Sequence, residues 1–444
     1  MTSREEPAMA VQPAPTDHVA EPVTRKKNRA LGAVVIGSAI EWYDFYVFGT
    51  ASALVFSRIF FPSMSAASGI LLSFATFGVA FLVRPFGGIV LGHLGDRIGR
   101  KNILLATLIM MGVATVGIGL IPDYRSIGVA APLLLVLCRI VQGIGASGEW
   151  AGAALVALES STPKNRALYG SLPNIGVPVG LLLSTTVSLI FYALPEEDLL
   201  SWGWRVPFLI SFVFVFVGVY IRRRLEETDD FTEVKKNKDV RRFPLAEVVR
   251  GYWKESLIVF FAQGSLTVVF FVGSTYMLSY ATKVAGFSQS TALLALILAS
   301  TVLIATIPLV GRWADRIGYA RGFLVSTVAS IFLFAAVFPM VDSGSTVLLF
   351  LGAGVLFGVV AGIGFGCQSA LFGVLFPARV RYTGMTFSFQ LSGAVFGGPL
   401  PLVASALVDS NGSPWALVLC IGLVAVVGSV ATMAVSRKAA STWT

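Results

Sequence analysis

Twelve stretches of this chain are each apolar enough, and close enough to 20 residues long, to cross a bilayer core about 30 Å thick as a helix. They lie near 31–56, 67–94, 102–121, 128–158, 166–193, 204–221, 255–281, 289–314, 321–341, 345–376, 383–408 and 414–435. In hydrocarbon every backbone N–H and C=O must be paired within the protein, so consecutive spans of this kind fold as helices. The expected fold is therefore an all-α membrane protein. Of the 444 residues 55% are hydrophobic and 13% charged, where a soluble domain carries about 25% charge. The 45 glycines suit helices that approach closely in lipid.

The net charge of +9 raises the question of a nucleic-acid partner, and the position of the charges answers it. Lys and Arg collect in alternate short connections: Arg97, Arg100 and Lys101; Lys164 and Arg166; Arg222 to Arg224 and on to Arg242; Arg312, Arg316 and Arg321; Arg379 and Arg381. The intervening connections are acidic or neutral, with Asp123, Glu196, Glu197, Asp198, Asp342 and Asp409. This is the positive-inside pattern. It predicts cytoplasmic termini in a cell membrane, with the bilayer as the partner and no nucleic acid. A signal peptide is a poor match, because the first apolar run is too long and contains Glu41 and Asp44.

The pattern divides the chain into a tail over 1–29, a first six-helix bundle over 30–221, a charged cytoplasmic linker over 222–254, a second bundle over 255–436 and a short tail over 437–444. The tail over 1–29 has no apolar period and reads as disordered. The halves repeat: Gly92-His93-Leu94-Gly95-Asp96-Arg97-Ile98-Gly99-Arg100-Lys101 closes the second helix, and Gly311-Arg312-Trp313-Ala314-Asp315-Arg316-Ile317-Gly318 closes the eighth. Duplication of this kind builds transporters whose two bundles rock around a central site.

Ionisable residues sit deep inside the spans of the first half. At about 1.5 Å of rise per residue, Asp44, Arg84 and Glu149 fall roughly 16–21 Å from the basic face, near the midplane, and Arg139 falls about 30 Å up. Charge at that depth is costly and usually faces an ion or substrate path. Glu41 and Asp44, three apart, share a helix face. Three acids (Glu41, Asp44, Glu149) against two bases (Arg84, Arg139) leave one carboxylate in excess, and such a group prefers to take a proton. The second half offers amides and phenols instead: Gln263, Tyr276, Tyr280, Gln368 and Gln390. That asymmetry suits a hydroxylated organic acid, its charge held by the first half and its hydroxyls or ring read by the second.

The loop over 92–101 and its degenerate copy over 311–321 resemble the signature of the major facilitator superfamily, and the resemblance covers nearly the whole chain. Within it, Glu41-Trp42-Tyr43-Asp44-Phe45-Tyr46, Arg84-Pro85-Phe86-Gly87-Gly88, Arg139-Ile140-Val141-Gln142-Gly143, Gly148-Glu149-Trp150 and Trp202-Gly203-Trp204-Arg205-Val206-Pro207-Phe208 resemble the metabolite:proton symporter family. Its members carry shikimate, α-ketoglutarate, citrate, or proline and betaine, and the block order is most similar to the shikimate type. The resemblance implies a bacterial, monomeric, proton-coupled importer of a small organic acid. Asp44, Glu41 and Glu149 are the candidates for the proton. Arg84, Tyr43, Arg139, Gln142, Trp150, Asn174, Gln263 and Tyr276 are those for substrate. Gly92, Asp96, Arg97, Gly99, Arg100, Asp315 and Arg316 would form a conformational latch, in which Asp96 accepts from a helix N-terminus or an arginine. The second-half copy departs at Tyr319-Ala320, which predicts a weaker second latch.

Other readings stay open. A zwitterionic osmolyte would place its carboxylate on Arg84 and its ammonium on Tyr43 or Trp150. A drug-efflux antiporter is less favoured, since residues 170–180 match its glycine-rich block only in part. A non-transporting receptor also remains. A membrane enzyme has little support: His18 and His93, with Cys138, Cys367 and Cys420, show no metal-ligand or triad spacing, so neither metal nor cofactor is expected.

Overall fold

The computed structural model describes residues 23–98, 100–223 and 244–439, and their side chains except at 23–30, 33, 90, 92–104, 221–223, 378–379 and 436–439. Twelve helical spans follow in order. The first six are α1 (Val23–Leu54), α2 (Ala66–Ile98), α3 (Arg100–Leu120), α4 (Ala130–Gly145 and Glu149–Glu159), α5 (Arg166–Tyr192) and α6 (Val206–Arg223). The second six are α7 (Trp253–Lys283), α8 (Gln289–Ile317), α9 (Tyr319–Asp342), α10 (Thr346–Gly373), α11 (Val380–Asn411) and α12 (Trp415–Ala439). Ten of these are long and apolar enough to cross a membrane, and Leu105–Leu120 within α3 is a shorter apolar helix. They form the two six-helix bundles expected. α1 starts at Val23, ahead of the expected 31. The tail before it and the linker core over 224–243 lie outside the described residues, while Pro244–Gly251 is a short helix packed on the start of α11.

One expectation is corrected. The fourth span is not continuous, because its helix stops at Gly145 and restarts at Glu149. Glycine disfavours helix by about 1 kcal/mol each, and Gly143, Gly145 and Gly148 fall close together here. Position adds a second reason. A Cβ on Gly145 would meet Met111 Cγ at 2.7 Å and Thr107 O at 3.1 Å, so these glycines let α4 press onto its neighbours. The count that put Arg139 about 30 Å up assumed an unbroken helix. In the structure its guanidinium and that of Arg84 both lie 5.2 Å from the ring of Phe45.

The second bundle bends differently. π-helical turns interrupt α7 at Val272–Tyr276, α10 at Phe350–Leu356 and α11 at Gly393–Gly397. Each frees backbone groups and re-aims the side chains around it. At the basic face, Gly318 has φ +93°, and the chain passes from α8 into α9 within that one residue.

The bundles meet along α5 with α8 and α10, α2 with α11, α1 with α7, and the second half of α4 with α11. Within the first bundle α5 lies tight on α1: a Cβ on Gly180 would meet both Ala39 O and Tyr43 N at 2.7 Å. Gly180→Val is therefore expected to destabilise the bundle by on the order of 1–3 kcal/mol, as overpacking does. Thermal unfolding in detergent should show a lower Tm for it, whereas Gly422→Ala, with open space at its Cβ, should leave Tm unchanged. Equal Tm values would mean that α1 and α5 separate at little cost.

Candidate functional site

Residues from both bundles enclose a central cavity of about 30 Å³, room for about two waters at some 10–15 Å³ each. α1 and α2 contribute Trp42, Phe81 and Arg84; α4 and α5 contribute Trp150 and Val177; α7, α10 and α11 contribute Gln263, Phe270, Phe271, Phe365, Gln368, Phe389 and Gln390. The wall is aromatic with a few polar groups, the make-up of a small-molecule site. At that volume a metabolite needs the bundles to part before it can enter.

Arg84 is 4% exposed. Its guanidinium lies 4.7 Å from the centroid of Phe81 and 5.2 Å from that of Phe45, and its Nε has no hydrogen-bond partner among the described residues. Glu41, 6% exposed, acts electrostatically on both Arg84 and Asp44. The helix-face argument paired the two acids with each other, while the fold gives Glu41 the arginine as well.

Arg84 also lines a second, smaller cavity of about 10 Å³ inside the first bundle, with Asp44, Phe45, Ala80, Met111, Arg139 and Gln142. Asp44 accepts from the Ser211 hydroxyl at 2.5 Å, with the Thr115 hydroxyl, which donates to Met111 O at 2.9 Å, beside it. Thr115 in turn accepts from Gln142 Nε2 at 2.7 Å. Arg139, fully buried, donates to Gln142 Oε1 at 2.7 Å and to Phe77 O at 2.9 Å, with the Phe48 ring 4.0 Å from its guanidinium carbon. Asp44 and Arg139 are thus joined through Thr115 and Gln142. Hydroxyls, an amide, a carbonyl and aromatic faces take the place of water around them.

Several sequence candidates fall elsewhere. Tyr43 does not face the central cavity: its hydroxyl donates to Pro207 O at 2.7 Å and its ring packs 4.7 Å from Phe214, joining α1 to α6. Tyr276 lies in the π turn of α7 beside Tyr280 and does not line the cavity. Arg139 and Gln142 line the second cavity and not the first. Glu149 stands in the first turn of the second half of α4, where the partial positive charge of a helix start favours a carboxylate. Trp42 and the phenylalanines of α7, α10 and α11 went unnoticed, because nothing in a run of apolar residues marks which of them face a void.

Polar contacts hold the bundles together toward the basic face. Donors of α11 meet carbonyls at the break in α4: Tyr382 Oη reaches Gly148 O at 3.0 Å and Gln390 Nε2 reaches Ser147 O at 2.7 Å. Trp150 stacks on Phe389 across the same seam, with centroids 4.2 Å apart, and its Nε1 donates to Asn174 Oδ1 at 2.9 Å. Asn174 Nδ2 donates to Phe365 O at 2.8 Å, so Asn174 bridges the bundles and does not line the cavity. Asp315 accepts from the backbone N–H groups of Ala167 and Leu168 at 2.7 and 3.1 Å, capping the first turn of α5. The Tyr319-Ala320 departure leaves that carboxylate in use, and Arg316 beside it is exposed. The side chains of Gly92, Asp96, Arg97 and Arg100, and Gly99 altogether, lie outside the described residues.

The chain matches the Major Facilitator Superfamily over residues 34–398 and belongs to it. It is 39% identical to the inner membrane metabolite transport protein YhjE of Escherichia coli (strain K12), over 87% of this chain and 89% of that one. It is 36% identical to the shikimate transporter of the same organism (88% and 90%) and 32% identical to a putative proline/betaine transporter of Staphylococcus aureus (91% and 87%). The crystal structure of a D-xylose-proton symporter superposes with a TM-score of 0.68 at 16% identity, covering 92% of this chain and 97% of that one. The protein is a multi-pass membrane transporter and not an enzyme.

The α4–α11 contacts predict a conformational phenotype. Removing both donors, as Tyr382→Phe with Gln390→Leu, should weaken closure of the basic face. With the three native cysteines replaced, a cysteine at Ser369 should then react with an impermeant maleimide from that face roughly fivefold faster or more, as expected for losing one to two net hydrogen bonds. Unchanged labelling would show that other contacts keep this face shut.

Proposed function

We propose that this transporter is a proton-coupled importer of a small organic anion, working by alternating access in a bacterial cell membrane with both termini cytoplasmic. The observation that carries the reading is Arg84: a guanidinium in the wall of a cavity between two bundles, with an Nε that has no hydrogen-bond partner among the described residues. Guanidinium presents donors in a planar fork that suits a carboxylate. The likeness to a shikimate transporter supports a hydroxylated or keto acid, and the fold shared with a D-xylose-proton symporter is compatible with symport.

Asp44 is the proton carrier in this reading, with Glu41 beside it. Arg84 belongs to both cavities and so links the two loads. A substrate carboxylate on Arg84 competes with the acids for its charge, and the acid that loses the cation is neutralised by taking a proton. The two bundles then rock about the filled cavity, with Asp315 and, by the repeat, Asp96 latching the basic face between cycles.

A second reading is an importer of a zwitterionic osmolyte, favoured by the proline/betaine relative and by Trp42 and Trp150 in the cavity wall. Trp150 alone of the two aromatic residues first considered for the ammonium can serve it. Uptake by proteoliposomes of labelled organic acids and osmolytes, with and without an imposed proton gradient, separates the two readings.

Arg84→Lys should lose most substrate affinity with expression near normal, since a single ammonium cannot reproduce the fork. Wild-type affinity in that variant would make Arg84 structural. Asp44→Asn should abolish accumulation driven by an inward proton gradient while leaving counterflow exchange intact. If it still concentrated substrate, the proton would have to travel by another acid, Glu149 first.

A further inference from the structure

Two of the buried side-chain polar atoms that lack a hydrogen-bond partner among the described residues belong to the central cavity, and they stand on opposite bundles: Arg84 Nε on α2 and Gln368 Oε1 on α10. Both side chains are nearly inaccessible, at 4% and 1% exposure. A buried polar atom left without a partner costs about 1–3 kcal/mol, so each calls for a group that arrives later.

The chemistry of that group follows from the amides. Gln263 Nε2 donates to Thr267 Oγ1 at 3.0 Å, which turns the Gln263 carbonyl toward α10. Gln368 Nε2 donates to that carbonyl at 2.5 Å. Each nitrogen uses one of its two N–H groups in these bonds, and the oxygen of the pair left without a hydrogen-bond partner among the described residues is Gln368 Oε1. A carboxylate or keto oxygen cannot donate to it, and neither can a fully substituted ammonium. A hydroxyl can.

We propose that Gln368 is the specificity-determining residue of this transporter, and that its Oε1 selects anions carrying a hydroxyl at the end of the molecule remote from the carboxylate held by Arg84. The inference rests on the organic-anion reading above and narrows it. Keto acids and betaine fall outside the selected class, while a hydroxylated cyclic acid meets both atoms at once. Sites built to bond a substrate hydroxyl reject the analogue lacking it strongly, by roughly 10⁴–10⁵ in favourable cases, because the site's own polar group is left unpaired.

The test uses the full-length protein in proteoliposomes and two labelled probes, shikimate and cyclohex-1-ene carboxylate, the same ring acid without hydroxyls. Wild type should prefer shikimate by roughly 100-fold or more in kcat/KM, a cautious fraction of that range. Gln368→Met, close in volume, should bring the ratio within about tenfold by losing shikimate uptake while transport of the deoxy acid persists, and that persistence shows the carrier is folded. Gln263→Met, which frees the Gln368 nitrogen, should also lower the ratio. If wild type carries shikimate and Gln368→Met leaves the ratio unmoved, or lowers both acids alike, Gln368 is a helix-packing amide and the inference falls while the organic-anion reading stands. If wild type carries neither acid, or carries betaine in preference, that reading fails and the inference with it.

Discussion

Arg84 and Arg139 share the face of one ring, Phe45, at the depth of the hydrocarbon, and much of the first bundle is arranged to make that tolerable. Taking an ion out of water costs several kcal/mol even after the protein relaxes. Arg139 meets the cost with a carbonyl, an amide and three aromatic faces. Asp44 draws on the hydroxyl of Ser211, with Thr115 beside it holding Gln142. These partners come from α1, α2, α3, α4 and α6, so the buried charges tie five of the six helices into one unit. The rigidity needed for a bundle to move as a body comes from solvating its ions internally.

Arg84 is the exception that gives the arrangement a use. It touches both cavities, and its Nε, which like that of Arg139 has no hydrogen-bond partner among the described residues, stands where the two bundles face each other. In the proposed reading, a ligand on Arg84 alters the environment of Glu41, which acts on both Arg84 and Asp44. The coupling path in this reading is two side chains long.

The seams between the bundles differ in kind along the membrane normal. Near the basic face they are polar and directional: a carboxylate on the first turn of α5, and α11 donors on the carbonyls left by the break in α4. Beyond the cavity they are close apolar approaches. A Cβ on Gly78 would meet Gly398 O at 2.7 Å, and Gly49 lies against Phe77 and Thr275. Hydrogen bonds at one end have discrete made and broken states, and smooth glycine surfaces at the other let helices slide or part with little loss of polar pairing. A carrier that alternates access needs closures it can reopen, and both kinds qualify.

The sequence by itself determined the membrane location, the helix count and the two bundles, and it put Asp44, Arg84 and Glu149 inside the spans. Those follow from hydropathy, from the cost of burying backbone and charge, and from a fixed rise per residue. The residues 92–101 and 311–318 carried the family, since a repeated loop of that kind is readable without coordinates. Tertiary structure decided which polar residues meet. Tyr43 sits next to Asp44 in sequence yet points into the α1–α6 contact, and Trp42 on its other side reaches the cavity, because neighbours on a helix diverge by about 100°. Arg139 and Gln142, placed on one helix by the sequence, meet Phe77 of α2 and Thr115 of α3 only through the packing of the bundle. The contacts of α11 on the carbonyls at the break in α4, the amide pair of Gln263 and Gln368 and the cap by Asp315 all join residues far apart in the chain. Pairings of that kind are set by how two bundles pack, and no local pattern encodes them.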